Sequence, residues 1–239
     1  MGIWIRELAT GGIYNDALLE RFECMLYYSF YTKHPGDEGY AGIREGLVNI
    51  FKDERVAREV LEICRYKLEQ IDFVDEEVDL GFSCPLDLHC AYSRDQLMAG
   101  LGEYNGLENR SFREGVKFLK QKKLDLFLIN LNKSEKDFSP STMYEDYAIN
   151  SKLFHWQSQS TTGVDSPTGQ RYIQHRKLGH KILLFVREYK KENGMAAPYV
   201  YLGKANYVKH EGSKPISFVW ELEKEMPAKL VVKANKSVM

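Results

Sequence analysis

The sequence predicts an α+β protein in which a small helical element is followed by a mixed domain rich in strands. Up to about residue 70, apolar residues recur at three- and four-residue steps, the spacing of an amphipathic helix. Beyond Gly115 they form short alternating or continuous runs between polar turns, a pattern typical of strands. Because 44% of the 239 residues are hydrophobic, the chain has enough apolar material for a packed core.

Three helices are predicted in the first part. An apolar stripe within Leu18–Phe30 marks the first helix, and the Gly- and Pro-containing loop 33–42 ends it. The second helix is predicted over Ile43–Phe51. The third is predicted from Asp53 to about Ile71, with acidic residues in its first turn, where the helix dipole favours them. The acidic segment 71–80 is predicted to be a linker.

The second part begins with a short strand over 86–92 and a helix over Arg94–Leu101, which Ser93 and Gln96 start as a capping box. Further strands are predicted over Asp125–Leu131, Phe154–Gln159, Lys181–Tyr189, Tyr199–Leu202 and Ile216–Leu222. Because the strands are short and the helices few, the sheet is predicted to be bent and barrel-like, with flanking helices. The loop 161–169 is predicted to be mobile, and the Lys-rich tail after Pro227 is predicted to fray.

The charge distribution predicts two domains with different partners. The formal net charge is −1, but residues 1–82 carry eight more acidic than basic residues, whereas residues 83–239 carry seven more basic than acidic ones. Counterion release favours binding of the basic part to nucleic acid, and the acidic part is repelled. We therefore expect a helical coupling element over 1–82 and a basic, β-rich DNA-reading domain over 83–239. The alternative is that charges on solvated faces happen to segregate.

Membrane, secreted and metalloprotein classes are not expected. No apolar run approaches the roughly 20 residues of a membrane helix, and no signal peptide is visible. A cytoplasmic location without a membrane partner is therefore predicted. Cys84, His89 and Cys90 are the candidates for a metal site, but they lack the paired spacing of zinc ligands. No metal and no cofactor are predicted.

The segment 131–170 interleaves aromatic rings, amides, hydroxyls and cations, which together can stack on bases, contact their edges and hold phosphates. Rings supply stacking planes, amides contact base edges, and a carboxylate can accept a hydrogen bond from a cytosine amine. The predicted base-contacting residues are Tyr144, Asp146, Tyr147, His155, Trp156, Gln157 and Gln159. The alternatives are that two of the three stacking rings belong to the core, that Asp146 is a cap or surface ion pair, that His155 is structural, and that Gln157 and Gln159 make cross-strand hydrogen bonds at a sheet edge.

Cations and hydroxyls in or beside the same polar loops are candidates for phosphate contacts, which fix the register of a protein on DNA without reading its sequence. The predicted phosphate-binding residues are Lys133, Lys136, Ser139, Ser141, Thr142, Arg171, Arg176 and Lys177.

Several motifs point to a known family. They are the segments Asn132–Pro140, Tyr144–Ile149, Phe154–Ser160, Pro167–Tyr172, Leu184–Glu188 and His210–Gly212. Over about residues 86–227 the chain resembles a C-terminal domain family long labelled as having unknown function. That family forms the C-terminal domain of bacterial proteins that carry a phospholipase-D-type nuclease and a superfamily 2 helicase. Its best-understood members are the SauUSI-type modification-dependent restriction enzymes.

The resemblance implies a target-recognition domain that detects 5-methyl- or 5-hydroxymethylcytosine in foreign DNA for a type IV restriction helicase-nuclease. It also implies an SRA-like fold that flips the base. The implied partners are double-stranded DNA carrying modified cytosine, and helicase and nuclease domains in the same parent chain or a partner. The sequence lacks the motifs of helicases and of phospholipase-D-type nucleases, so we expect a fragment or a free-standing reader.

Two alternatives remain open. Glu145, Asp146 and His155 could form a metal or acid–base cluster, but no ligand spacing, nucleophile elbow or phosphate cradle supports catalysis. The chain is therefore predicted not to be an enzyme. The second alternative is a protein-interaction scaffold that couples a helicase to a nuclease, with only nonspecific DNA contact.

Overall fold

The computed structural model describes residues 16–70, 78–104, 115–132 and 146–235. The fold is mixed α+β, as the sequence predicts, and six α-helices lie within these ranges. Chain contacts divide the molecule into two compact units, one comprising residues 1–88 and 92–111 and the other residues 89–91 and 112–239. None of the helices in the described ranges is long and apolar enough to cross a membrane.

The first unit is helical. Helix α1 spans Asp16–Phe30, α2 Ile43–Phe51, α3 Glu54–Glu69 and α4 Arg94–Gly100. These helices confirm the predicted ones to within a few residues. The capping box is also confirmed, because the Ser93 side chain accepts a hydrogen bond from the Gln96 backbone and the Gln96 side chain accepts one from the Ser93 backbone.

The second unit is built on an eight-stranded sheet. Its strands are β1 (Ala91–Tyr92), β2 (Val116–Leu119), β3 (Leu124–Asn130), β4 (Tyr147–Ala148), β5 (Leu153–Gln157), β6 (Lys181–Arg187), β9 (Tyr199–Glu211) and β10 (Ser217–Leu222). The order is β2-β3-β6-β9-β10-β5-β4, with β1 beside β9. A separate hairpin joins β7 (Lys191–Glu192) to β8 (Met195–Ala196). Strands β3 and β6 are parallel, and the other neighbours in the order are antiparallel.

The predicted barrel-like sheet, and with it the closure of an SRA-like barrel, is wrong for the part of the chain described. Strands β2 and β4 lie at opposite ends of the order, and β2 pairs with β3 whereas β4 pairs with β5. Closing a barrel requires the two end strands to hydrogen-bond to each other. The sheet is therefore open.

Two further predictions are corrected. The loop 161–169 contains the start of helix α5 (Pro167–Ile173), whose N-cap Ser166 accepts a hydrogen bond from the Gly169 N–H. The tail after Pro227 forms helix α6 (Ala228–Ala234) instead of fraying at once, because Leu230 and Val231 pack against the core. Both helices gain from tertiary packing what their short sequences lack in intrinsic stability.

The core of this unit is strongly aromatic. Phe127, Trp156, Tyr172, Phe218 and Trp220 are each at most 5% exposed. The Phe127 ring stacks on Trp156 at 4.0 Å and meets Tyr172 edge-on at 5.1 Å. Tyr172 lies on α5, so the aromatic cluster attaches this helix to the inner face of the sheet.

Candidate nucleic-acid interface

Strand directions bring two turns together at one edge of the sheet. The parallel strands β3 and β6 both begin there, since Leu124 is in register with Lys181. Strand β9 continues past this edge, because Ala205 is opposite Ile182 near the start of β6 and β9 ends only at Glu211. Strand β10 pairs with this later part of β9, from Glu211 back to Ala205, and β5 ends at Gln157 opposite Ser217, where β10 begins. We call the edge where β3 and β6 begin the basic edge.

Two lysine- and arginine-containing turns meet at the basic edge. The turn before β3 consists of a short 3-10 helix over Lys120–Lys122 followed by Lys123. The turn before β6 carries Arg176 and Lys177, both exposed. The Lys181 N–H donates to the Lys123 carbonyl at 2.9 Å, which joins the two turns although more than fifty residues separate them. The result is a concentration of positive charge at the start of the parallel strands.

A buried ion pair supports these turns from inside. Asp125 is fully buried, and Arg171 on α5 binds its two oxygens, with Nε 2.9 Å from Oδ2 and Nη2 2.9 Å from Oδ1. The Arg171 guanidinium lies 3.9 Å from the centre of the Phe118 ring, on which His180 also stacks. Burial raises the pKa of Asp125, while Arg171 and His180 act in the opposite direction. Arg171, a predicted phosphate contact, therefore has its charge directed at Asp125, and we leave it out of the proposed phosphate site.

His175 attaches the Arg176–Lys177 turn to β9. The imidazole is 2% exposed, its Nε2 accepts the Tyr207 N–H at 3.1 Å, and its Nδ1 lies 3.2 Å from the His180 carbonyl. A carbonyl can only accept, so Nδ1 carries the proton and the ring is neutral when both bonds form. Burial lowers the pKa of His175, the hydrogen bond with the His180 backbone opposes this, and the nearby charges of Arg176 and His180 lower it further.

We expect acid to weaken the fold through His175. Its pKa is lowered in the folded state, so as pH falls below about 6.5 the unfolded chain takes up a proton that the folded chain resists. The stabilisation is therefore present above that pH, and part of it is lost between pH 7 and pH 5.5. Urea unfolding of the wild type and of His175→Gln at both pH values measures this loss. Equal pH dependence in the two proteins would contradict the assignment.

The predicted base-contacting residues divide between the two faces of the sheet. Tyr147 and His155 are opposite each other on β4 and β5, and their rings stack at 4.7 Å with an interplanar angle of 17°. Asp146 accepts the Gln157 N–H at 3.0 Å, and the Gln157 side chain donates to Ser217 at 3.1 Å. Tyr147, His155 and Gln157 lie on neighbouring strands, on the face opposite the aromatic core, and Asp146 precedes β4 and is 8% exposed.

Trp156 points the other way and belongs to the core. It alternates with His155 and Gln157 along β5, is 5% exposed, and packs on Phe127 and Phe218. A ring in this position cannot stack on a base unless the core opens, so we leave Trp156 out of the proposed site. Gln159 is exposed just after β5, and its carbonyl accepts the Thr162 N–H at 2.9 Å.

Six predicted residues lie outside the described ranges, so the structure does not test them. They are Tyr144, Lys133, Lys136, Ser139, Ser141 and Thr142.

Sequence reasoning missed the lysines of the first turn, which are Lys120, Lys122 and Lys123. They fall just outside the polar segment 131–170, and only the parallel pairing of β3 with β6 places them beside Arg176 and Lys177. The dense local run of lysines before a buried strand was the available signal.

A cavity of about 390 Å³ lies at the opposite edge, where β3 and β6 end. Its walls include Leu131, Val186, Arg187, Ala197 and Leu230. None of the predicted base-contacting residues in the described ranges lines it, so this cavity is not part of the candidate interface.

Comparison with known proteins identifies the family. None of the curated proteins matches the chain. Residues 86–233 match the family described as Domain of unknown function (DUF3427), and this match covers more than half of the 239 residues. It includes the sheet, helices α4, α5 and α6 up to Lys233, and every residue of the basic edge named above. The chain therefore belongs to the DUF3427 family.

Proposed function

We propose that this protein is a DNA-binding target-recognition protein that detects 5-methyl- or 5-hydroxymethylcytosine in foreign DNA. In this proposal it directs a type IV restriction helicase and nuclease, located in the same parent chain or a partner, and performs no catalysis itself. The observation that carries the proposal is the basic edge, where two cationic turns meet at the start of β3 and β6; the polar side chains of β4 and β5 lie on the same sheet. The likeness to SauUSI-type enzymes suggests the modified base as the target.

The basic edge suits the DNA backbone. Lys120, Lys123, Arg176 and Lys177 are exposed and lie on two adjoining turns. Like charges held close together repel, and DNA phosphates relieve this repulsion while the protein cations displace the counterions condensed on the DNA. Because buried Asp125 and His175 hold the two turns in place, the cations require little rearrangement on binding.

The base-reading role falls to the polar face of β4 and β5. The stacked Tyr147–His155 pair offers a ring surface, and Asp146 and Gln157 offer an acceptor and an amide next to it. A carboxylate can accept a hydrogen bond from the cytosine N4 amine, and an aromatic ring can stack on an extruded base. We propose that a flipped cytosine meets these residues, with the phosphates on either side held by the basic edge.

A titration of matched duplexes tests the proposal. The full chain is titrated with an unmodified, a 5-methylcytosine and a 5-hydroxymethylcytosine duplex of the same sequence, each at two salt concentrations. We expect a steep salt dependence for all three and at least about fivefold tighter binding of one modified duplex, the lower range for discriminating a single base pair. Salt-dependent binding without discrimination would reduce the protein to a nonspecific DNA clamp.

One observation favours the second candidate function, a scaffold that couples the helicase to the nuclease. Helix α3 packs beside α2, yet none of its residues is buried, and Leu61, Ile63 and Tyr66 are 55%, 57% and 58% exposed. Apolar side chains left in solvent on one helix are typical of protein-contact surfaces. A scaffold without a reading function would bind all three duplexes of the titration equally, whereas a reader that also couples would still discriminate.

A further inference from the structure

The turn between β9 and β10 holds a lysine in a strained backbone conformation, next to the end of β5. Lys214 has a φ of 61°, in the left-handed region where the Cβ atom of a non-glycine residue is crowded. Its side chain is exposed. Strain of this kind persists only where the surroundings impose it, and it is concentrated at functional sites.

Hydrogen bonds to the loop before α5 hold the turn in this strained conformation. The Lys214 N–H donates to the Thr162 carbonyl at 3.3 Å, and the Val164 N–H donates to the Ser213 side chain at 3.2 Å. Thr162 itself is 6% exposed. The turn 212–215 and the loop that leads into α5 are therefore braced against each other at the end of the sheet.

The Lys214 side chain lies against Gly163. A Cβ atom added to Gly163 would be 3.2 Å from Cε and 3.6 Å from Cγ of Lys214. The methylene groups of Lys214 therefore pack over the backbone of Gly163. A side chain ordered in advance loses less conformational entropy when it binds a ligand.

We propose that Lys214 is a further DNA-phosphate contact, beside the end of β5 that carries Gln157, held ready by Gly163 and by the strained turn. This inference rests on the proposed function and adds a residue outside the predicted set. Glycine at position 214 would adopt the same backbone conformation without crowding. Lysine in its place costs stability, and a phosphate contact supplies a functional reason for it.

The test is Lys214→Gly in the full chain, bound to an unmodified duplex over a range of salt concentrations. Loss of one phosphate contact lowers the slope of log affinity against log salt by about one, and lowers the affinity at 0.1 M salt by about eightfold relative to 1 M. The Tm is expected to stay the same or rise, because glycine removes the strain although it adds entropy to the unfolded chain. A lower Tm with an unchanged salt slope would show a structural role and overturn the proposal.

Two further variants make the result specific. Gly163→Ala keeps every charge but displaces the lysine stem, so it is expected to weaken DNA binding less than Lys214→Gly does. Lys229→Ala, at an exposed lysine on α6 near the opposite edge of the sheet, is the matched control and should leave the salt slope unchanged. If the wild type fails to bind DNA, the proposed function itself is wrong. If the wild type binds and Lys214→Gly binds equally well, only the present inference is wrong.

Discussion

Arg171→Ala is expected to destabilise the protein by about 3–5 kcal/mol, the range for removing one partner of a buried ion pair. The substitution leaves Asp125, which is fully buried, without the guanidinium that binds both of its oxygens. An uncompensated buried carboxylate must either take up a proton or draw in water, and both cost free energy. Urea unfolding at pH 7 measures the effect.

Two companion variants separate charge from geometry. Arg171→Lys keeps the positive charge but loses the bidentate contact with Asp125 and the stacking on Phe118. Its free energy of unfolding is therefore expected to lie between those of Arg171→Ala and the wild type. In the double variant Asp125→Asn with Arg171→Ala, the buried charge is gone, and part of the lost stability is expected to return. If the loss of stability in the double variant equals the sum of the losses in Arg171→Ala alone and Asp125→Asn alone, the pair does not act as a unit.

Replacing Lys123, Arg176 and Lys177 with alanine is expected to lower DNA affinity about 500-fold at 0.1 M salt relative to 1 M, if each contacts one phosphate. The slope of log affinity against log salt should fall by about 2.7, since each contact contributes about 0.9. All three side chains are exposed on the two turns of the basic edge, so the fold should tolerate the change. Fluorescence anisotropy over a series of salt concentrations, with an unmodified duplex, measures both quantities.

The control triple variant replaces Lys191, Lys229 and Lys233 with alanine. These lysines are exposed and lie near the end of β6, since Lys191 follows that strand and Lys233 on α6 pairs with Glu188 at 3.3 Å. The control changes the net charge of the molecule by the same amount. If it weakens DNA binding as strongly as the first triple variant, binding follows overall charge, and the basic edge has no special role.

The elements that the sequence predicted well are those stabilised by local interactions. Helix α2 spans Ile43–Phe51 as predicted, because an apolar stripe at helical spacing needs only a surface to pack on. Helix α4 begins at the predicted cap because the capping box closes within four residues. Strand β9, in contrast, extends to Glu211, far past the predicted Leu202. Its later half is held by pairing with β10, which local patterns do not show.

Helix α5 was missed for a related reason. Pro167 and Gly169 suggest a loop, although the Ser166–Pro167 pair is a typical helix start. A glycine is needed inside this helix because a Cβ atom at position 169 would come within 2.3 Å of the Gly163 carbonyl oxygen. That requirement comes from a close approach of two backbone segments, which the local sequence does not reveal.

Periodicity, capping and composition were enough to predict the α+β class, the helices of the first unit, most strands of the second unit and the excess of positive charge after residue 82. All of these are local properties of the chain. Long-range strand pairing was needed to establish that the sheet is open, that Trp156 lies in the core, and that the turn of Lys123 adjoins that of Arg176. Each of these depends on which strands pair and in which direction. The free energy that fixes pairing comes from contacts between residues far apart in the chain, so no local pattern encodes it.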